Sequence, residues 1–160
     1  MKADKKIIDL LNDVLTSELT AINQYFVHAE MCENWGYDRL SQVIRKHSIG
    51  EMKHAEELIE RVLFLEGVPN VQRLGKINIG ESVPEMFKVD LALELDAVAR
   101  LNPAIETCRE LSDNNTRHLF EEILEDEEEH IDWLEAQHAL LEQVGTQNYL
   151  AQQIREESGS

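Results

Sequence analysis

Six acidic and imidazole residues recur at matched positions in the two halves of this chain. They are Glu18, Glu51 and His54 in the first half and Glu94, Glu127 and His130 in the second. Each second-half residue follows its counterpart by 76 positions, as from 18 to 94. Carboxylate and imidazole ligands together suit iron and manganese, and zinc also accepts them. The pattern predicts a centre for two metal ions, related by an approximate twofold axis.

The motif Glu-x-x-His occurs once in each half, from Glu51 to His54 and from Glu127 to His130. Residues three apart share one face of a helix, so each motif can hold a single ion. Two divalent cations would offset four ionised glutamates, whose burial without partners is costly. One such motif in an acidic helical chain is weak support. The alternative is a bundle with buried salt bridges, or glutamates on an exposed face, but two motifs at one offset favour the metal centre.

Apolar residues at helical spacing predict four long helices and a short fifth. The first is capped by Asp4 and stopped by Gly36, and the second runs from about 39 to 66. Ser82 opens the third with a capping box, and the fourth runs from Asp113 to Gly145. The fifth covers about 146–156. We expect one domain over residues 1–160, with its bundle at about 4–145.

Connection lengths predict the topology of this all-α protein. Residues 36–38 and 112–113 make tight turns, which join antiparallel helix pairs. Residues 67–81 can reach nearly 50 Å at about 3.3 Å each, whereas a 28-residue helix is only about 42 Å long. The segment can therefore return along the whole bundle. We predict a four-helix bundle with a long crossover between parallel helices two and three.

The composition excludes several classes of partner. A formal net charge of −17 argues against nucleic acid and anionic membranes, because both require a basic surface. Neither a long apolar stretch nor a leader is evident, so a cytoplasmic location is the expectation. Cys32 and Cys108 show no paired spacing and are predicted to be free thiols.

Several segments together resemble the bacterioferritins over nearly the whole chain. They are Met1-Lys2, Asn23-Gln-Tyr-Phe26, Glu51-Met-Lys-His-Ala55, Ile59-Glu-Arg61, Phe64-Leu-Glu-Gly67, Asp90-Leu-Ala-Leu-Glu94 and Asp126-Glu-Glu-Glu-His-Ile-Asp-Trp-Leu-Glu135. The resemblance implies a ferritin-like bundle with a di-iron ferroxidase centre. In that centre Glu51 and Glu127 bridge the two ions. Glu18 and His54 complete one ion, and Glu94 and His130 complete the other.

The same resemblance implies an assembly and a second cofactor. Dimers would build a hollow shell of 24 subunits that stores ferric mineral. A b-type haem would lie between two subunits, with Met52 of each as an axial ligand, and would carry electrons from a ferredoxin-type donor for iron release. By chemistry alone an exposed methionine is more often a packing or interface residue. A second bacterioferritin subunit type in the shell stays an open question.

Residues near the motifs raise further expectations. Lys46, His47 and Gly50 depart from a common family pattern that binds an accessory iron on the inner surface, so such a site is doubtful here, although His47 is available to one. Tyr25 is expected either beside the metals or as a core aromatic. His28 and His138 match no ligand pattern and are predicted at the surface.

Two rival functions fit the same bundle. One is a dimetal enzyme or peroxide reductase of small oligomeric size, resembling rubrerythrins, although this chain lacks their Cys-rich iron module. The other is a shell subunit or metal buffer without catalysis, although such subunits lose ligands and all six are present here. The predicted function is an iron-storage ferroxidase that oxidises Fe(II) with peroxide or dioxygen.

Overall fold

Long helices account for most of the computed structural model, which describes residues 1–154. The helices are α1 (Lys5–Asn34), α2 (Asp38–Phe64), α3 (Val83–Glu110), α4 (Asn114–Val144) and α5 (Thr146–Ala151). α1 packs along α2 and α3 packs along α4, with α1 also against α3. This confirms the predicted all-α bundle. None of these helices, within the described part of the chain, combines the length and hydropathy needed to cross a bilayer.

The helix ends lie where the capping residues predict them. Asp4 and Asp113 each accept a backbone N–H from the first turn of their helix, at 2.8 and 3.1 Å. The hydroxyl of Ser82 does the same for α3 at 3.4 Å. Gly36 and Gly145 follow α1 and α4 with φ of 86° and 83°, a conformation that disfavours side chains. These side chains and glycines therefore set the boundaries of the bundle helices.

The fifth helix is shorter than predicted. It ends at Ala151, and the backbone N–H groups of Gln152 and Gln153 each bond to the carbonyl three residues earlier. Such tighter bonds close a helix. The carbonyl of Gln153 then accepts the backbone N–H of Arg39 at 3.1 Å, so it is used by the start of α2. The rest of the predicted helix, residues 155–156, lies outside the described residues.

The crossover of residues 65–82 lies along α1 and is fixed to it by hydrogen bonds. Four backbone N–H groups of the crossover donate to side chains of α1, in the same order along both segments. The pairs are Asn70 with Asn12, Gly75 with Thr20, Asn78 with Gln24, and Gly80 with His28, at 2.8, 2.8, 3.0 and 3.0 Å. Both segments therefore run in the same direction. α3 then begins beside the end of α1, which makes α2 and α3 parallel, as predicted.

His28 corrects one expectation, because it is fully buried and not at the surface. Its Nδ1 lies 2.9 Å from Asp90 Oδ1, and its Nε2 accepts the Gly80 N–H. An imidazole can serve a donor and an acceptor at once, which suits a buried junction between two helices and a crossover. His138 is partly buried, with its ring 6.2 Å from that of Phe87. Both cysteines are buried free thiols, as predicted.

Two apolar clusters form the core, one toward each end of the bundle. The first includes Leu11, Leu15, Leu58, Leu101 and Phe120, and the second includes Tyr25, Leu40, Ile44, Phe87 and Leu134. Along every long helix, the glutamate of the predicted centre falls between residues of these two clusters. The sequence thus places one layer of buried carboxylates across the middle of an otherwise apolar core.

Candidate metal centre

All six residues of the predicted centre come together in the middle of the bundle. Their ligand atoms form two overlapping groups, and within each group the atoms lie within 4.8 Å of one another. The His54 group consists of Glu18, Glu51, His54 and Glu127, and the His130 group consists of Glu51, Glu94, Glu127 and His130. Two glutamates are common to both groups. Each helix contributes from near its middle, because α1 and α3 supply one glutamate each while α2 and α4 supply one Glu-x-x-His motif each.

The Nδ1 atoms of both histidines face the carboxylates. His54 Nδ1 lies 3.5 Å from Glu18 Oε2, 3.5 Å from Glu51 Oε2 and 3.6 Å from Glu127 Oε1. His130 Nδ1 lies 3.1 Å from Glu51 Oε1, 3.4 Å from Glu94 Oε1 and 4.0 Å from Glu127 Oε1. The two halves of the centre therefore have matching inner faces.

Buried ligand atoms without hydrogen-bond partners support a metal site. The four glutamates are at most 2% exposed. Atoms that lack a partner among the described residues are Glu18 Oε2, both carboxylate oxygens of Glu51, Glu94 Oε2, Glu127 Oε1 and His54 Nδ1. Leaving buried polar atoms unsatisfied is costly, so such a concentration is typical of a metal-binding site. Hard carboxylate oxygens with imidazole nitrogens fit iron.

The electrostatics of the metal-free centre depend on the two histidines. Burial lowers the pKa of His54, but contacts with Glu51 and Asp126 outweigh it and raise that pKa to about 9. Burial likewise opposes protonation of His130, yet contacts with Glu51 and Glu94 raise its pKa to about 10. Two imidazolium cations therefore occupy the centre at neutral pH, where they offset part of the carboxylate charge.

The two shared glutamates differ in their tendency to ionise. Burial alone would raise the pKa of Glu51, but contacts with His130 and His54 lower it to about 2. Burial and the negative charge of Glu51 raise the pKa of Glu127 well above its ordinary value. The proton shared by these carboxylates consequently resides on Glu127. Without metal the centre balances its charge with protons.

Tyr25 is a core aromatic residue, as one of its two expectations held, and it also contacts a residue of the predicted metal centre. Its side chain is 1% exposed within the second apolar cluster, and its hydroxyl donates to Glu94 Oε1. Burial and the charge of Glu94 raise the pKa of this phenol well above its usual range, so the hydroxyl stays protonated. A protonated donor fixes the orientation of the Glu94 carboxylate.

Sequence reasoning missed the partner of the outer nitrogen of His54. His54 Nε2 lies 2.7 Å from Asp126 Oδ2, on α4. A metal-ligating histidine usually donates its second N–H to a carboxylate, a carbonyl or water. An acidic residue directly before Glu127 could therefore have been considered as the partner of His54, and this was the signal available in the sequence.

Met52 lies apart from the centre, as predicted, because adjacent residues of a helix such as Glu51 and Met52 point in different directions. Its side chain is 55% exposed on the outer surface of α2. Ile49 on the same helix and Phe26 on α1 are also exposed, at 46% and 50%. Arg45 connects them, because its guanidinium lies 5.8 Å from the Phe26 ring and one helical turn before Ile49. Met52, Ile49 and Phe26 are thus exposed apolar side chains of the α1–α2 pair.

Comparison with known proteins agrees with the fold. A family described as a ferritin-like domain matches residues 8–144. The chain is 49% identical over 152 residues to the bacterioferritin of Mycobacterium leprae, covering 95% of this chain and 96% of that protein. It is 46% identical over 156 residues to the bacterioferritin of Streptomyces coelicolor, with 98% and 93% covered. For the bacterioferritin of Brucella melitensis the identity is 45% over 149 residues, with 93% and 92% covered.

The fold is that of the ferritin-like class. Within it, the chain belongs to the bacterioferritin family, as its sequence predicted. Family membership supports a role in iron storage, and ferroxidase activity is a general property of the family. Members are generally oligomeric. The carboxylate and histidine groups in the bundle are suited to iron.

Proposed function

We propose that this chain is a ferroxidase subunit for iron storage and detoxification, built as one ferritin-like domain. The proposal rests on the convergence of six ligand residues in the bundle core, five of which carry buried ligand atoms without a hydrogen-bond partner among the described residues. Fe(II) bound there as substrate gives up electrons to dioxygen or peroxide, and the Fe(III) product is stored as hydrated oxide. The six residues are the proposed ligands for two iron ions per subunit.

The six proposed ligands have two different roles in binding, because some are shared by both ions and others serve one ion. Glu51 and Glu127 belong to both groups, so they hold both ions together. Glu18 with His54 and Glu94 with His130 complete one position each. Six ligands over two ions leave room for an oxidant. Four carboxylates match the charge of two divalent cations, which makes the loaded centre neutral when both imidazoles have lost their protons.

Variants of the terminal ligands test this assignment. Glu94→Ala and His130→Ala should slow Fe(II) oxidation about tenfold or more, because loss of a ligand weakens binding at least as much as loss of its support. Size-exclusion chromatography should show unchanged assembly. The matched control is Glu129→Ala, which removes an exposed carboxylate from α4. Wild-type oxidation rates in both ligand variants would contradict the proposal.

The assembly and its haem form a second part of the proposal. We propose a shell of 24 subunits built from dimers, with a b-type haem held between two subunits by their Met52 thioethers. The exposed apolar side chains around Met52 would cover the porphyrin. The haem would accept electrons from a ferredoxin-type donor for iron release, in the cytoplasm and without nucleic acid or membrane partners. Mixing with a second subunit type is compatible with this arrangement.

Substitution of Met52 tests the haem ligand separately from the iron centre. Met52→Leu keeps the apolar volume but removes the sulfur, so haem absorbance should disappear while rapid Fe(II) oxidation continues. Met31→Leu is the control, because it removes a thioether from α1 and should keep the haem. Haem retained in the Met52 variant would refute the axial role.

A small dimetal enzyme on the same bundle is the rival. Size-exclusion chromatography with iron and haem analysis separates the two. A large particle that holds haem and mineral supports the storage function, and a dimer without mineral supports the rival.

A further inference from the structure

The six proposed ligands are related in pairs by an offset of 76 positions. The residues directly beside them do not all match under the same offset. Under the offset of 76 positions, Asp126 on α4 corresponds to Gly50 on α2. The contact of Asp126 with His54 should therefore have a counterpart between residue 50 and His130. Glycine has no side chain, so this counterpart is missing. The inner faces of the two histidines match, but their outer faces differ.

The outer nitrogen of His54 is held by a carboxylate. Its Nε2 lies 2.7 Å from Asp126 Oδ2. When the ring is neutral, as a metal ligand must be, an N–H at Nε2 that donates to this carboxylate leaves the lone pair on Nδ1. Nδ1 is the atom that faces Glu18 and Glu51. Asp126 thus fixes both the ring orientation and the tautomer required for metal ligation. It also makes Nδ1 a stronger electron-pair donor to a metal ion.

Within the described part of the chain, the outer side of the His130 ring packs against other rings. Among residues 1–154, no hydrogen-bond partner is found for its Nε2. Its ring instead lies 4.4 Å from that of His47, at a tilt of 35°. His47 in turn meets Trp133 edge-on, with ring centroids 5.0 Å apart. Stacking restrains the plane of a ring, but it does not decide which nitrogen carries the proton.

We propose that the two metal positions are unequal, and that Asp126 is the positioning residue that makes the His54 group the tighter one. This inference rests on the proposed function of the centre. The first divalent cation enters the His54 group, and the second enters the His130 group. Loss of a carboxylate behind a ligating histidine typically weakens metal binding about 10- to 100-fold, which sets the expected effect.

Gly50 offers a direct way to restore the missing contact. It lies within α2, and a Cβ built on it meets nothing within 4 Å. The first side-chain atom of a substituted residue therefore fits there without displacing a neighbour. By the twofold relation, its carboxylate should reach His130 Nε2 as Asp126 reaches His54. Gly50→Asp should tighten the second position about tenfold or more, while Gly50→Ala should not.

Anaerobic titration of the full-length assembled protein with Co(II), followed by its ligand-field absorption, measures both positions without oxidation. Wild-type protein should bind two Co(II) per chain in two steps. Glu18→Ala should remove the tight step, and Glu94→Ala should keep it. Asp126→Ala should weaken the tight step about 10-fold or more, and Asp126→Asn, which keeps an acceptor, should restore part of that loss.

Glu129→Ala is the matched control, because it removes one exposed carboxylate from the same helix and should leave both steps unchanged. The inference is overturned if Asp126→Ala and Gly50→Asp both leave the two steps as in wild type, or if Glu18→Ala and Glu94→Ala lose the same step. Such results leave two bound ions per chain and spare the proposed function. Failure of wild-type protein to bind two Co(II) ions per chain would instead contradict the proposed function.

Discussion

Metal binding at the proposed centre should release protons, and the number follows from the two histidines. With a pKa of about 9 for His54 and about 10 for His130, at least about 99% of each imidazole is protonated at pH 7. A metal ligand must be the neutral imidazole. Two bound cations therefore displace about two protons per chain at pH 7, and Glu127 can supply a further one because burial and Glu51 raise its pKa.

This release makes binding depend on pH in a definite direction. Each displaced proton changes the combined affinity for the two cations about tenfold per pH unit, so two protons give about 100-fold per unit. Affinity should rise as the pH increases toward about 9 and level off above about 10, where both imidazoles are already neutral.

The assay is an anaerobic titration of metal-free protein with Zn(II) in weak buffer containing a pH indicator. Zn(II) is chosen because iron oxidation and hydrolysis would release protons of their own. The double variant Glu18→Ala/Glu94→Ala is the control, since it should bind little metal and release correspondingly few protons. Release of less than one proton per chain with two Zn(II) bound at pH 7 would refute the reasoning.

Three further results are expected. The pKa of each proposed ligand histidine is raised above its unfolded value of about 6.5. The stability that His54 and His130 provide is therefore complete below about pH 6.5 and is lost as the pH rises through about 9 to 10. The Tm of metal-free protein should fall across that range, and an unchanged Tm would contradict the raised histidine pKa values. Gly80→Ala should destabilise by about 1–3 kcal/mol, because its Cβ would lie 2.4 Å from the Met86 backbone nitrogen; Gly50→Ala, with open space, should be neutral or stabilising in the same denaturant titration. Tyr25→Phe should cost metal-free protein about 1–3 kcal/mol, because Glu94 loses a buried donor; a loss under about 0.5 kcal/mol would argue that this hydrogen bond has little weight.

The long helices and their order could be predicted because local rules determine them. Asp4 and Asp113 are capping residues, and Gly36 and Gly145 adopt positive φ, so the boundaries of α1 and α4 have local causes. The topology followed from the length of the crossover. α5 was predicted too long because its end depends on a contact with the start of α2, which no local pattern reveals.

The convergence of the six residues could be predicted from spacing, because helical periodicity assigns each residue to a face. Their roles as ligands and the role of Met52 as a haem ligand stay predictions. His28 shows the limit of that reasoning. Its buried position depends on Asp90 and on the backbone of Gly80, both far away in sequence. A lone histidine carries no sign of such partners.

The contact between His54 and Asp126 joins α2 and α4 across 72 positions, so it too needed the fold. The repeat made it accessible in principle. Comparison of residues 50 and 126 shows that the two halves diverge beside their motifs. Periodicity identified what the halves share, and only three-dimensional contacts revealed the effect of the difference.

Charge balance by protons in the empty centre has a consequence for how the protein is made. Because His54 and His130 carry positive charge before any cation arrives, a newly synthesised chain can close its interior in iron-poor surroundings. Capacity for storage can then be in place before the supply rises. If the proposed centre binds Fe(II), the metal would exchange with hydrogen ions in a folded protein, and no folding step would have to wait for it.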